Sequence, residues 1–201
     1  LEQQKLKEAE LSLRKTIELN PDFADAHSNL GSILRDLGKL EEAEISTRKA
    51  IKLNPDLATA HSNLGMILRN LGNLQEAETS QRKAIELRPA FANSHYNLGI
   101  ILRELGKSQE AKQHTLKAIN LKPNFAEAYY NLANILIDLN QLDNSMSCFE
   151  KAIALNMDYD KCIMGIGNLF LRKGNYSQGL RRIQEGQGVI NFHLEKGMSI
   201  S

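Results

Sequence analysis

Apolar residues recur along the chain at the three-and-four spacing of amphipathic helices, and the segments with this spacing come in pairs. The first clear pair occupies residues 24–37 and 40–53. Gly38 can adopt the left-handed backbone conformation that ends a helix, and Pro55 prevents the second segment from continuing. The pattern therefore predicts a helical hairpin.

The hairpin is repeated with a period of 34 residues. Small residues recur at facing positions of the two helices, where they allow close packing. They are Gly31, Gly65, Gly99 and Ala133 on the first helix, and Ala43, Ala77, Ala111 and Ser145 on the second. All four prolines follow the same period, as Pro21, Pro55, Pro89 and Pro123. A fixed period of this length indicates a solenoid, in which each hairpin buries its apolar face against its neighbours.

The repeated residues resemble the tetratricopeptide repeat over almost the whole chain. The resemblance implies an all-α fold, in which antiparallel helix pairs stack into a right-handed superhelical solenoid and the first helix of each pair lines a concave groove. We expect a partial repeat with only a second helix, four complete repeats, a degenerate capping repeat and a strand-like tail. Their bounds are 1–23, 24–57, 58–91, 92–125, 126–159, 160–187 and 188–201.

Each complete repeat is numbered here from its first alanine, so that position 1 is Ala24, Ala58, Ala92 or Ala126. Short polar residues just before the first helices are expected to cap them. These are Asp22, Asp56, Asn124 and Asp158. Position 4, usually aromatic in this family, is His27, His61 or His95 in the first three repeats. We expect packing or capping histidines, because helices about 8 to 10 Å apart cannot share a zinc ion that needs each nitrogen at about 2 Å.

An asparagine occupies position 6 of the first helix in every complete repeat. Positions 2, 5, 9 and 12 form one stripe that position 6 flanks, and the resemblance implies that this stripe faces the groove. A carboxamide both accepts and donates hydrogen bonds, so a column of them suits the backbone of an extended peptide. The alternative is that the asparagines bond neighbouring helices and stabilise the stack. The candidates are Asn29, Asn63, Asn97 and Asn131.

Arginine occupies position 12 in three of the repeats. An arginine row in a groove favours carboxylates or phosphates through paired hydrogen bonds, and therefore an acidic partner. The alternative is pairing within the scaffold, since Asp36 and Glu104 directly follow two of the arginines. The candidate arginines are Arg35, Arg69 and Arg103, and the aromatic residues at position 5, Tyr96 and Tyr130, are further candidates for contact with a partner.

The charge balance argues against a nucleic-acid or membrane partner. With 25 Lys+Arg against 24 Asp+Glu, the net charge of +1 provides no uniform basic field. The two cysteines have no zinc-binding spacing, and no catalytic triad or phosphate-binding loop is recognisable. We therefore expect no metal, no cofactor and no enzymatic activity, and a cytoplasmic location.

The sequence thus predicts a protein-interaction module that binds an extended peptide segment. The asparagine column resembles that of the repeat region of O-linked N-acetylglucosamine transferases, where matching asparagines grip substrate peptides. One alternative is therefore a substrate-recruiting region of a larger enzyme such as a glycosyltransferase. Another is a self-associating structural protein, with apolar residues exposed at both ends. These residues are Leu6, Ala9, Leu13 and Ile17 in the first helix, and Ile190, Phe192 and Leu194 in the tail.

Overall fold

The structure is a computed structural model that describes residues 2–187, with side chains from residue 3 to residue 185. This part of the chain contains eleven α-helices and no strand. The tail predicted to be strand-like lies outside the described residues. The helices are α1 (Glu2–Leu19), α2 (Ala24–Asp36), α3 (Leu40–Leu53), α4 (Ala58–Asn70), α5 (Leu74–Leu87), α6 (Ala92–Glu104), α7 (Ser108–Leu121), α8 (Ala126–Asp138), α9 (Leu142–Ala154), α10 (Tyr159–Arg172) and α11 (Tyr176–Gln187).

The helices form two compact units, α1–α6 and α7–α11. In the first unit, α2 pairs with α3 and α4 with α5, while each second helix also packs against the first helix of the next pair. Leu34 and Ile67 lie in one such inter-pair cluster, and both are almost fully buried. In the second unit, α8 pairs with α9 and α10 with α11. The predicted all-α architecture of stacked helix pairs is confirmed within each unit.

Small residues bring the two helices of a pair into close contact. A Cβ atom added at Gly65 would lie 2.6 Å from Nε2 of Gln81 on α5, and one added at Gly31 would overlap the hydroxyl of Thr47 on α3. In the second unit, Ser145 Oγ donates a hydrogen bond of 2.8 Å to the carbonyl of Ala133. The packing role predicted for these positions is therefore confirmed at Gly31, Gly65 and Ala133.

The C-terminal ends of the first helices agree with the sequence prediction, whereas most of their N-terminal ends differ from it. Gly38 has a φ of 77° and Asn140 a φ of 57°, so both adopt the left-handed conformation after a first helix. Asp158 caps α10 by accepting a hydrogen bond of 3.1 Å from the amide of Lys161. The capping prediction is wrong for Asp22, Asp56 and Asn124. In these repeats the residue in the N-cap position is an apolar residue one place further along the chain, as in α2, α4 and α8.

The apolar face of α1 is largely covered by α2. Leu13 and Ile17 pack against the cluster that contains Leu30 and Leu34, and Leu6 is half-buried. The expectation that this face lacks a partner therefore needs correction. A second helix presents these positions to the first helix of the following repeat, which is present here as α2.

Ion pairs link helix α1 to α3 and helix α3 to α5 in the first unit. Arg14 on α1 contacts Glu42 at 2.7 Å, and Arg48 on α3 contacts Glu76 at 2.6 Å. Hydrogen bonds from Lys39 and Arg14 lower the pKa of Glu10, which is 8% exposed. A lowered carboxyl pKa contributes stability above the ordinary pKa of the group, and this stability is lost as the pH falls through the lowered value.

The histidines at position 4 form hydrogen bonds to the turn that precedes each first helix. Nε2 of His27, His61 and His95 lies 2.9, 2.8 and 3.1 Å from the carbonyl oxygen of the proline six residues earlier. A carbonyl oxygen only accepts, so Nε2 is the nitrogen that carries the hydrogen. This geometry agrees with the packing role expected for these residues.

We expect His61→Ala to lower the free energy of unfolding by about 0.5 to 1.5 kcal/mol, because it removes the hydrogen bond to the Pro55 carbonyl. The measurement is urea denaturation followed by circular dichroism. Thr59→Ala, in the same first turn of α4, is the matched control. If both variants unfold at the same urea concentration as the unchanged chain, the histidine bond contributes nothing to stability.

Candidate functional site

The candidate site in the first unit is the surface formed by positions 2, 5, 6, 9 and 12 of α2, α4 and α6, which we call the helix-A face. Helix α4 packs against both α2 and α6, so equivalent side chains on the three helices form rows across this face. The predicted asparagine and arginine positions Asn29, Asn63, Asn97, Arg35, Arg69 and Arg103 all belong to these rows. Position 6 of α8, Asn131, lies in the second unit.

The amide nitrogens of two asparagines bond the preceding first helix. Nδ2 of Asn63 donates to the carbonyl oxygen and to the hydroxyl of Ser28, at 3.2 and 3.1 Å. Nδ2 of Asn97 donates to the hydroxyl of Ser62 at 3.4 Å. Both side chains are half-buried, and neither Oδ1 atom accepts a hydrogen bond from the described residues. The amide hydrogens thus serve the stack, whereas the carbonyl oxygens are left for a further donor.

The other two members of the column differ from this arrangement in opposite ways. Asn29 is exposed, and its side chain forms no hydrogen bond within residues 3–185. Helix α1, which precedes α2, provides no hydrogen-bond partner for Asn29 among the described residues. Asn131 is only 7% exposed and donates to the hydroxyl of Thr115 on α7 at 3.3 Å. Asn29 is therefore the most accessible amide of the column, and Asn131 the least.

A buried hydrogen-bond chain connects the helix-A face to the second helices, and sequence analysis missed it. Gln81 on α5 is fully buried, and its Nε2 donates to the carbonyl of Ser62 at 2.8 Å. The Ser62 hydroxyl donates to Oε1 of Gln81 at 3.2 Å and accepts from Asn97. The available signal was a glutamine opposite Gly65, at the position that is threonine in Thr47 and Thr115.

The position 5 residues contribute to packing. Ser28 and Ser62 are buried at 1% and 5% exposure, so they do not form open pockets. In the second unit, Tyr130 packs edge-on against Phe149 with ring centroids 5.8 Å apart, in the main apolar cluster. Tyr96 is half-buried on α6 and also takes part in an interaction. Tyr130 is thus partly buried and packs against the apolar cluster of its unit.

The arginines at position 12 form ion pairs on the helix-A face. Nε of Arg69 donates to both carboxylate oxygens of Glu104, at 2.9 and 3.0 Å, and its Nη2 also contacts this group. Nε and Nη2 of Arg35 donate to a single oxygen of Asp36, at 3.0 and 2.8 Å. Arg103 is likewise engaged in an interaction. Scaffold pairing, the alternative noted from the sequence, therefore occurs for Arg35 and Arg69.

The described helices also carry side chains of the types that ligate metals, and two cysteines. No three His, Cys, Asp or Glu side chains converge there in a way that could hold a metal ion. Burial raises the pKa of both cysteine thiols, Cys148 and Cys162, which disfavours the reactive thiolate. Between residues 2 and 187, no helix combines the length and the apolar character that crossing a bilayer requires.

Two family profiles, both described as tetratricopeptide repeat, match the sequence. One matches residues 22–90 and again residues 56–124, and the other matches residues 126–159. Together these matches cover more than half of the chain. The chain belongs to the tetratricopeptide repeat (TPR) family. The family prediction is thereby confirmed.

Several solved structures resemble this chain. YrrB, described as a TPR protein with an unusual peptide-binding site, is 23% identical over 90% of this chain and 94% of YrrB, with a TM-score of 0.68. PilF of Pseudomonas aeruginosa is 20% identical over 94% of this chain and 91% of its own, with a TM-score of 0.76. PilW, a type IV pilus biogenesis factor, is 21% identical over 92% and 86%, with a TM-score of 0.82. At these identities the likeness shows the fold alone. No match was found among curated proteins.

The two kinds of asparagine on the helix-A face predict different effects on stability. We expect Asn63→Ala to lower the free energy of unfolding by about 1 kcal/mol, because it removes the bonds to Ser28. Asn29→Ala, at the same position of the preceding TPR, is expected to change it by less than about 0.5 kcal/mol. Urea denaturation of the two variants measures this difference, and equal losses would show that the Ser28 bonds do not support the stack.

Proposed function

We propose that this TPR chain is a protein-interaction module that binds an extended peptide segment along the helix-A face, with the complete repeats 24–57, 58–91 and 92–125 as successive contact units. TPR proteins act as protein-interaction scaffolds, and the TPR fold is generally non-catalytic. The observation that carries the proposal is the row of asparagines whose Oδ1 atoms accept no hydrogen bond from the described residues.

The row suits a peptide backbone for a geometric reason. Bonds from Nδ2 to Ser28 and Ser62 fix the amides of Asn63 and Asn97, so their Oδ1 atoms are held in place before a ligand arrives. A fixed acceptor loses less conformational entropy on binding than a free side chain does. Each Oδ1 can accept a hydrogen bond from a peptide N–H group regardless of the peptide's side chains.

Asn29 adds a second mode of contact. Its side chain is exposed and has no hydrogen-bond partner within the described residues, so it can donate to a peptide carbonyl as well as accept from an N–H group. The arginines at position 12 add positive charge, which favours an acidic partner. The column also resembles that of O-linked N-acetylglucosamine transferase repeats, and YrrB is described as having a peptide-binding site.

The proposed module has no catalytic activity of its own. This is compatible with an interaction protein and with a recruiting region of a larger enzyme, since both would use the same face. The two possibilities differ in the peptide that is bound, which is an enzyme substrate only in the case of a recruiting region. In either case, the function of residues 2–187 is recognition of a partner chain.

We expect selection from a phage-displayed library of random linear peptides to enrich binders of this chain. Asn29→Ala should weaken the affinity of a selected peptide about threefold to tenfold, which corresponds to one lost hydrogen bond. Fluorescence anisotropy of a labelled peptide measures the affinity. Lys49→Ala, on the exposed surface of α3, is the control and should leave it unchanged. Failure to enrich any peptide, or equal affinity for both variants, contradicts the proposal.

A second copy of the chain is a second candidate partner. Leu11 on α1 and Ile45 on α3 occupy equivalent positions of successive second helices, and each is 71% exposed. Large apolar side chains exposed on successive helices favour association. The face formed by Leu13 and Ile17 is less suitable, because it already packs against α2.

We expect Leu11→Glu combined with Ile45→Glu to reduce any self-association without unfolding the chain, since both side chains are exposed. Sedimentation equilibrium over a concentration series measures the mass. Thr79→Glu, at the equivalent exposed position of α5, is the control. A monomer mass for the unchanged chain at every concentration would exclude this second candidate.

A further inference from the structure

Arginine at position 12 can reach the next repeat, and the acid that it finds there differs between repeats. Arg69 on α4 pairs with Glu104 on α6, which lies 35 residues further along the chain. Glu104 is position 13 of its repeat. The residue in the same place relative to Arg35 is Asn70, the last residue of α4. An asparagine side chain carries no charge. Arg35 therefore has no carboxylate in the place where Arg69 has Glu104.

Arg35 pairs with its own neighbour instead, in a weaker arrangement. Its Nε and Nη2 atoms share one oxygen of Asp36, whereas Arg69 engages both oxygens of Glu104. The side chains of Asp36 and Glu104 are 41% and 36% exposed, so the number of bonded oxygens, and not exposure, distinguishes the two pairs. An ion pair through one shared oxygen is weaker and less specific than paired hydrogen bonds to both oxygens. An incoming carboxylate can therefore replace Asp36 more easily than it can replace Glu104.

Replacement of the two partners also has different structural consequences. Glu104 lies on α6, so its bond with Arg69 links α4 to α6, and a ligand that displaces it breaks a contact between repeats. Asp36 lies on α2 together with Arg35, so their bond links no two helices. Releasing Asp36 from Arg35 therefore breaks no hydrogen bond between helices.

We propose that Arg35 is the position at which the helix-A face reads an acidic side chain of the bound peptide, because Asn70 leaves it without the inter-repeat acid that neutralises Arg69. This inference rests on the proposed function. It commits to an Asp or Glu carboxylate, since carboxylates are the groups that already bond to the Nε and Nη2 edge of Arg35 and Arg69. Asn29, on the same helix as Arg35, supplies the adjacent backbone contact.

The first test uses the tightest acidic peptide from the phage selection and a copy in which each Glu and Asp is replaced by Gln and Asn. Arg35→Gln should weaken binding of the acidic peptide about tenfold or more, as expected for loss of a charged hydrogen bond, and should leave the neutral copy unaffected. Arg69→Gln, at the same position of the next repeat, should weaken binding of the acidic peptide less than Arg35→Gln does, because Glu104 already pairs with Arg69. Equal losses with Arg35→Gln and Arg69→Gln would overturn the inference and leave the proposed function intact.

Two further variants exchange the environments of the arginines without touching them. Asn70→Asp provides Arg35 with the inter-repeat acid and should weaken acidic-peptide binding about as much as Arg35→Gln does. Glu104→Gln removes the acid that pairs with Arg69 and should strengthen binding of the acidic peptide. Position 13 is already acidic in Asp36, Glu104 and Asp138, so an acid at residue 70 is compatible with the end of the helix. Unchanged affinity in Asn70→Asp would contradict the role assigned to Asn70.

The second test needs no peptide and uses acetate as the carboxylate probe. Nuclear magnetic resonance of the arginine Nε–Hε groups should show the Arg35 signal shifting at lower acetate concentrations than the Arg69 signal, with the order reversed when Asn70→Asp and Glu104→Gln are combined. If Arg69 shifts first in the unchanged chain, the inference is overturned. If Arg35 shifts first but no peptide binds, the proposed function fails and the anion preference of Arg35 stands.

Discussion

The close approach of the two helices within each pair is the constraint on which the structure depends. A side chain at Gly65 would meet Gln81, and one at Gly31 would meet Thr47, so these contacts fix how deeply the second helix sits against the first. Tight packing of this kind allows little sliding, because a displaced helix would collide with its neighbour or leave a void. The polar positions of one repeat are therefore set in a constant register against those of the next.

That register determines which polar side chains meet between repeats in the first unit. Position 6 reaches position 5 of the preceding repeat, as Asn63 reaches Ser28, and position 12 reaches position 13 of the following repeat, as Arg69 reaches Glu104. The same side chains therefore serve both the stack and the proposed binding face. Where Asn70 stands in place of an acid, Arg35 pairs with Asp36 of its own helix and not with the next repeat.

The regular features of the fold were predictable from the sequence, and several details were not. The period, the helix pairs and the glycine contacts follow from residue type and spacing alone. The caps were mispredicted because Asp22 and Asp56 are separated from the first helical turn by an apolar N-cap residue, and short polar residues near a helix start favour capping only when the chain turns at that residue. Gln81 was missed because its only sequence signal is its place in the period, opposite Gly65 and equivalent to Thr47 and Thr115, and residue type alone does not indicate burial of a glutamine.

By itself, the sequence determined that the chain is an all-α array of tetratricopeptide repeats and which residues recur on the first helices. Only the tertiary structure decided which of these residues bond to neighbouring helices and which stay exposed. Asn29 and Asn131 have the same place in the repeat, yet one is exposed and the other buried. The reason is physical: repeat position fixes where a side chain starts on its helix, whereas its hydrogen-bond partners come from helices that the period does not make identical.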